Sequence, residues 1–173
     1  MVKKIFYGLL VVFALIQLFQ PDRNTSSENL RTDLGNHYKI PDTVESLLNT
    51  ICYDCHSNNT DYPWFINVQP VGWYMQSKVD RGKKHLNFSE FGNLTKEKAI
   101  RKLNEIDDVM KTNRMPLKAY KWYNPKADLS EQQRQAISNW AINLRDIIQK
   151  DSLNAVNPDS LGTTVPPPVT STP

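Results

Sequence analysis

Residues 52 to 56 read Cys52-Tyr53-Asp54-Cys55-His56, and the interpretation of the rest of the chain starts from this stretch. Its two cysteines are the only ones in the 173-residue sequence. A disulfide between them would close a very short loop, and the stabilisation that a disulfide provides grows with loop length. A stabilising disulfide is therefore a poor explanation for the pair.

The CxxCH spacing is the attachment pattern of a c-type haem. Two thiols on adjacent turns of a helix end can each bond to one vinyl group, and the histidine that follows directs its imidazole at the iron. We therefore expect one covalent haem c on Cys52 and Cys55, with His56 as an axial ligand. A zinc site would need two more ligands, and the remaining His37 and His85 are badly spaced for it. A thioredoxin-like dithiol would follow a strand, whereas a helix is predicted here.

The residues before the motif predict a helix. Asp42, after Pro41, can cap this helix, and its apolar stripe runs directly into Cys52. Between residues 57 and 91 no regular period holds, and aromatic side chains alternate with prolines and glycines. We expect this second region to form loops with short helical pieces around a large flat group.

Two further helices are predicted after residue 91. The first begins at Thr95 and ends near Thr112. The second begins with a capping box formed by Ser130 and Gln133 and ends near Lys150. Together these patterns predict an all-α domain wrapped around one haem.

The N-terminal segment has the pattern of an export signal. Lys3 and Lys4 precede an apolar run of 15 residues from Ile5 to Phe19. As a helix this run would reach about 22 Å, which is less than the ~30 Å hydrocarbon core of a bilayer. Because no convincing cleavage site precedes Gln20, an uncleaved anchor is preferred over a removed signal peptide. We expect the domain on the periplasmic side of the bacterial inner membrane, either anchored or exported.

Composition divides the chain into four parts. Residues 1–20 form the leader, residues 21–39 a polar linker, and residues 40–150 the haem-binding domain. Residues 151–173 are rich in Ser, Thr and Pro, and we expect them to be disordered. The net charge of +3 is far below that of a typical nucleic-acid binder, so no nucleic-acid partner is expected.

Positive charge is concentrated between residues 111 and 127, where no Asp or Glu occurs. The basic residues there are Lys111, Arg114, Lys118, Lys121 and Lys126. A solvated rim and a docking patch are both consistent with this pattern. If Lys118 and Lys121 flank an exposed haem edge, they would attract an acidic redox partner of the cell envelope.

Met115 is the candidate for the second axial ligand. Of the four methionines, Met1 lies in the leader, Met110 fits the apolar stripe of a helix, and Met75 lies in the aromatic region. Met115 lies in a predicted loop and is followed by a proline, which stiffens the loop. Two alternatives stay open: the methionine fills a gap in the core, or His85 is the distal ligand.

An iron with both axial positions filled has no open coordination site. The expected role is therefore that of an electron carrier that exchanges single electrons, not that of an enzyme. The alternative is a haem-based sensor or ligand-binding module, or a weak peroxidase. Each of these would need an open distal site.

Five motifs resemble those of the haem-binding domain family of bacterial envelope proteins, within the class I cytochrome c superfamily. They are Cys52-Tyr53-Asp54-Cys55-His56-Ser57-Asn58, Tyr62-Pro63-Trp64, Gln69-Pro70-Val71-Gly72-Trp73, His85-Leu86-Asn87-Phe88-Ser89-Glu90-Phe91 and Met115-Pro116-Leu117. The resemblance covers about residues 40 to 148. It implies a cytochrome c fold in which the first and last helices of the domain cross, with His56 and Met115 as axial ligands.

The resemblance also implies that a backbone carbonyl accepts a hydrogen bond from the proximal imidazole, and Pro63 or Pro70 could supply it. Trp64, Trp73 and Trp122 are candidates to cover the porphyrin, although ordinary packing would also explain each of them. Basic residues that could pair with the haem propionates are Arg81, Lys83 and Lys84.

Overall fold

The computed structural model describes residues 1–26, residue 28 and residues 30–156, with side chains as far as residue 151. Within these residues the chain is helical, and its only β-type pairing is an isolated bridge between Thr25 and Asn59. The predicted all-α fold class is confirmed for this part of the chain. Of the tail predicted to be disordered, residues 151–156 are instead helical, and the rest, from residue 157 onwards, lies outside the described residues.

The described residues form eight α-helices joined by short turns. They are α1 (Val2–Ile16), α2 (Leu34–His37), α3 (Asp42–Leu47), α4 (Tyr53–His56), α5 (Val71–His85), α6 (Lys96–Lys111), α7 (Lys118–Tyr123) and α8 (Glu131–Val156). Turns of 3-10 helix lie at Trp64–Asn67, Phe88–Asn93 and Pro125–Ala127.

The helix predicted before the CxxCH motif is present. It begins at Asp42, and Pro41 occupies the cap position that had been expected for Asp42. A π-helical turn, Leu48–Cys52, connects α3 to α4, so the helical path continues into the motif. Leu48 and Ile51 of this turn are buried in the core. Single π-helical turns are often found at functional sites.

The two later helices are also present, with the predicted caps. The Thr95 side chain accepts a hydrogen bond from the backbone N–H of Lys98 at the start of α6. Before α8, Ser130 Oγ accepts from the Gln133 N–H at 3.2 Å, and Gln133 Oε1 accepts from the Ser130 N–H at 2.8 Å. Helix α8 ends at Val156 instead of near Lys150.

The hydrophobic core forms where α6 and α8 pack along each other and α3 contacts α8. Leu103 of α6 and Ile137 of α8 are almost completely buried. Trp140 and Leu144 extend the apolar face of α8 into the same cluster. The first and last helices of the domain, α3 and α8, are therefore in contact, and their crossing as in a cytochrome c fold stays a prediction.

Helix α5 was not predicted. Its 15 residues lie in the region expected to form loops with short helical pieces. The helical apolar period of α5 is interrupted for two reasons. The face of α5 that lines cavities of the domain includes Lys78 and Gly82 as well as Met75, and the apolar Trp73 is partly exposed. A helix face that lines a cavity does not carry the continuous apolar stripe of a core helix.

The segment predicted to be a polar linker, residues 21–39, packs against the domain. Leu34 is fully buried in the main core. Asn24 is also buried, and its side-chain amide donates to Ser57 O at 2.9 Å and to Thr60 Oγ1 at 2.8 Å. Its Oδ1 accepts from Lys83 Nζ at 2.5 Å. This segment is therefore part of the folded structure and not a free tether.

The leader forms helix α1, whose large apolar side chains are exposed. No helix among the described residues is both long enough and apolar enough to span a membrane. The chain that follows α1 contacts the domain, since the Gln69 N–H donates to Gln17 Oε1 at 2.8 Å and Trp73 Nε1 donates to Phe19 O at 2.7 Å. The membrane anchor remains a prediction.

Replacing Leu34 by Ala tests whether residues 21–39 belong to the folded domain. We expect the free energy of unfolding, measured by denaturant titration of the full chain, to fall by about 2–5 kcal/mol, because a buried leucine is truncated. The matched control is Ile147→Ala on the exposed face of α8, expected to change it by less than about 0.5 kcal/mol. An equally small effect of Leu34→Ala would mean that the segment is a tether.

Candidate functional site

An apolar cavity of about 310 Å³ lies between the CxxCH motif, α5, α6 and the segment that leads into α7. Its volume is within the range of ligand and cofactor sites. Both cysteines and His56 line it, and Met115 and His85 line it as well. The fold thus brings the attachment motif and both candidate distal ligands to one cavity.

His56 is oriented by a backbone carbonyl. Its Nδ1 lies 2.9 Å from Leu86 O, just beyond the end of α5. A proton on Nδ1 that is donated to this oxygen leaves Nε2 with a free lone pair, as an axial ligand requires. Burial lowers the pKa of His56, so the imidazole is neutral at neutral pH.

The carbonyl partner of His56 had been expected from Pro63 or Pro70, and this expectation is corrected. Both prolyl oxygens are occupied at the start of helical turns: Pro63 O accepts from the Ile66 N–H, and Pro70 O accepts from the Tyr74 N–H. Neither proline lines the cavity. The residue that supplies the carbonyl could not be found from spacing, because it follows a helix that the sequence pattern did not predict.

The two thiols are protonated at neutral pH. Burial raises the pKa of Cys52 to about 12 and that of Cys55 to about 11. Reactive dithiols need a thiolate, so these values do not favour a disulfide-exchange site. Among the described residues no group of three or more His, Cys, Asp or Glu side chains could hold a metal ion.

Helix α5 approaches the motif closely at Gly82. A Cβ atom at this position would lie 2.4 Å from Cys55 O. Glycine is therefore needed because any side chain would separate the backbones of α4 and α5. The close approach also brings the end of α5, and with it Leu86, to the imidazole.

A hydrogen bond connects the motif to α7. Tyr120 Oη donates to Asp54 Oδ2 at 2.5 Å, and Asn124 Nδ2 donates to Tyr120 Oη at 2.8 Å. The Asp61 N–H donates to the other carboxylate oxygen of Asp54 at 3.1 Å. The segment after Met115 is thereby connected to the helix that carries the cysteines.

The two candidate distal ligands differ in their surroundings. Met115 is half-buried and packs against the core, and Met110 of α6 lines the same cavity. The His85 side chain is 65% exposed, and its Nε2 lies 3.1 Å from Glu105 Oε2. Within the part of the chain that the structure describes, Met115 has no competing polar partner, whereas His85 contacts Glu105.

Trp64, Trp73 and Pro70 had been expected to contact the cofactor, and the structure puts them elsewhere. None of the three lines the cavity. Trp64 is 78% exposed on the turn before α5, and the Trp73 indole donates to the backbone of the leader segment. The aromatic composition of this region did not indicate which rings point inward, because helix α5 turns Trp73 away from the cavity.

A second cavity, of about 360 Å³, adjoins the first. Four residues line both: Cys55, Lys78, Leu117 and Tyr120. Trp122, the third tryptophan expected to cover the porphyrin, lines only this second cavity and is largely exposed.

Basic side chains lie along one edge of the first cavity. Of the residues expected to pair with propionates, Arg81 lines it, whereas Lys83 bonds to Asn24 and Lys84 does not line it. Lys78 of α5 and Lys102 of α6 also line it. The sequence analysis did not predict that Lys78 and Lys102 line the cavity. For Lys78 a signal was present, because residues 78, 81, 82 and 85 have the spacing of one helix face.

The basic stretch between residues 111 and 127 is partly neutralised. Lys111 pairs with Asp107 at 2.8 Å, and Lys121 pairs with Asp128 at 3.1 Å. Arg114 contacts the carboxylate of Asp108. The surface is therefore less positive than the run of basic residues indicates, because the acidic partners lie just outside it.

Gly82→Ala tests the close approach of α5 to the motif. Glycine to alanine inside a helix normally stabilises by roughly 0.5–1 kcal/mol. Here we expect a loss of about 1–3 kcal/mol in the free energy of unfolding, because the new Cβ overlaps Cys55 O. In the control Gly35→Ala the nearest atom to the new Cβ, Asp33 Oδ1, is at an ordinary 3.5 Å. A stabilised Gly82→Ala protein would contradict the close approach.

Tyr120→Phe tests the connection between the motif and α7. Removing the hydroxyl deprives a half-buried carboxylate of one donor, and we expect the free energy of unfolding to fall by about 1.5–3 kcal/mol. A double-mutant cycle with Asp54→Asn measures the coupling between the two side chains. Tyr74→Phe, at a half-exposed tyrosine, is the control. Additive effects of the two substitutions would show that the hydrogen bond contributes nothing.

A family model described as a haem-binding domain matches residues 11–143, which is more than half of the chain. The match includes both cysteines, His56 and Met115. No curated protein and no solved structure matches the chain significantly. The chain belongs to the haem-binding domain family.

Proposed function

We propose that this chain is a monohaem c-type cytochrome that carries single electrons in the cell envelope. The observation that supports this most is the meeting of Cys52, Cys55, His56 and Met115 at one apolar cavity. Family membership supports haem binding, and the CxxCH spacing supports covalent attachment through both thiols.

The residues present fit a covalently bound haem. The cavity is lined mainly by apolar side chains from α5, α6 and the π-helical turn, which suit a porphyrin ring. The thiols keep their protons and have no disulfide between them. The free Nε2 of a neutral, oriented His56 suits a proximal iron ligand.

The protein side chains would hold the group and adjust its properties. His56, oriented by Leu86 O, would bind one axial position, and the thioether of Met115 the other. Lys78 and Arg81 would bind the propionates, since point-charge and bidentate contacts to carboxylates are favourable at a partly dry edge, whereas Lys102 is paired with Glu105 at 2.8 Å. The bound haem would supply one-electron exchange between its ferric and ferrous states.

Two protein ligands, His56 and Met115, would leave a bound haem iron without an open site for substrate or oxygen, which favours electron transfer over an enzymatic reaction. Methionine as the second ligand would raise the reduction potential relative to a second histidine. A sensor, a ligand-binding module or a weak peroxidase would need Met115 to be displaced. The position of Met115 in the lining of the cavity that also holds His56 favours the carrier.

We also propose a periplasmic location at the inner membrane, with acidic redox proteins as partners. Lys3 and Lys4 precede a helix whose apolar side chains are left uncovered, and this supports export or anchoring by the leader. Lys118, which is exposed on α7 beside the first cavity, would attract an acidic surface, whereas Lys121 is already paired with Asp128.

The proposal is tested by the absorption spectrum and the haem content of the full chain, produced in a host with a haem-attachment system. Covalent haem on a denaturing gel is expected for the wild type and lost in the double variant Cys52→Ala/Cys55→Ala. The ferric wild type should show the long-wavelength band of a methionine-ligated haem. Met115→Ala should lose this band completely, and Met115→His should lower the reduction potential.

Met110→Ala is the matched control, because Met110 lines the same cavity but lies in the core stripe of α6. It should keep the long-wavelength band. Retention of the band in Met115→Ala, together with its loss in His85→Ala, would identify His85 as the distal ligand. Rapid binding of carbon monoxide to the untouched ferrous protein would contradict the carrier function.

A further inference from the structure

The second cavity is as large as the first and is not needed to explain haem attachment. Along α5 the two follow one another with a short overlap: Val71, Met75 and Val79 line the second, Arg81 and His85 line the first, and Lys78 lines both. Residues 71 to 78 and residues 78 to 85 each extend about 10 Å along the helix axis. The second cavity is therefore a separate space that adjoins the Cys55 side of the first.

The walls of the second cavity favour a flat aromatic molecule. Six aromatic side chains line it: Tyr62, Phe65, Tyr74, Tyr120, Trp122 and Tyr123. Aromatic rings pack favourably against one another in offset or edge-to-face geometry, so a planar ring is the best complement to this lining. Phe65 and Tyr120 already contact the ring of Tyr123 edge to face, with centroids 5.5 Å and 5.1 Å apart.

The polar groups of the cavity favour a neutral ligand with a hydroxyl group. Asp54 and Asp61 both line it, against the one basic residue Lys78 in the same lining, so an anion would meet more negative than positive charge. The half-buried hydroxyl of Tyr123 has no hydrogen-bond partner within the described part of the chain. Burial raises the pKa of Tyr123, so this hydroxyl keeps its proton and can donate to a ligand oxygen.

We propose that the second cavity binds a planar aromatic alcohol of the hydroquinone class, which serves as the electron donor to the haem. This inference rests on the proposed function, because Cys55, which lines both cavities, would bring the ligand next to the haem only if it carries the haem. A ring bound there would lie against the haem edge attached to Cys55. One hydroquinone would reduce two ferric chains by one electron each, release two protons to solvent and leave as the quinone.

Binding is measured on the full chain with its haem attached, in the ferrous state and without oxygen, by calorimetric titration with 1,4-naphthohydroquinone. A ferrous chain cannot accept an electron, so the titration reports binding alone. We expect saturable binding to the wild type. Mixing the same compound with the ferric chain should reduce the haem at a rate that saturates over the same concentration range.

Two variants locate the site. Met75→Trp fills the second cavity and should weaken binding at least about tenfold, whereas Lys84→Trp, on the same helix but lining neither cavity, should leave it unchanged. Tyr123→Phe removes only the hydroxyl and should weaken binding about three- to tenfold. Because it is conservative, this variant tests the site even if Met75→Trp does not fold.

The outcomes separate this inference from the proposed function. A wild-type chain without covalent haem would contradict the proposed function. If the wild-type chain holds haem but does not bind the hydroquinone, only the aromatic site is overturned. The same conclusion applies if the Tyr123→Phe and Met75→Trp variants bind the hydroquinone as tightly as the wild type does. A lower haem content in Met75→Trp would mean that the porphyrin itself occupies the second cavity, which would also overturn it.

Discussion

The hydrogen bond between His56 Nδ1 and Leu86 O depends on where α5 ends, and α5 can lie there only because position 82 has no side chain. The backbone of Gly82 packs directly against Cys55 O. Cys55 immediately precedes His56, and Gly82 lies one helical turn before Leu86, so this contact brings the imidazole and the carbonyl together. One contact between α4 and α5 thus determines the orientation of the imidazole. It also determines which residues of α5 line the two cavities.

The opposite side of the first cavity is held by different interactions. Met115 precedes α7, and α7 is connected to the motif through Tyr120 and Asp54. The core between α6 and α8 supports the same side, since Met110 and Ile137 belong both to this core and to the lining of the cavity. A cofactor in the cavity would therefore contact the main core directly, and its loss would leave apolar surface exposed.

Residues 21–39 show how a polar segment can still be part of the fold. Its composition predicts a tether, because its few apolar residues do not recur with a helical period. Leu34 nevertheless fills a site in the core, and the polar atoms of Asn24 bond to the loop after the motif and to Lys83 of α5. This docking brings the end of the leader to the start of α5, where Gln17 and Phe19 are bonded.

The sequence alone determined the CxxCH motif, the resemblance to a haem-binding family, the all-α class and helices α3, α6 and α8, because motif spacing, helix caps and apolar periods are local features. Tertiary structure decided the partner of the imidazole, the connection through Asp54 and the existence of α5. His56 is 30 positions from Leu86, and Asp54 is 66 positions from Tyr120. Contacts over such separations depend on how helices pack, which no short window of sequence contains. The exposed positions of Trp64 and Trp73 were missed for the same reason.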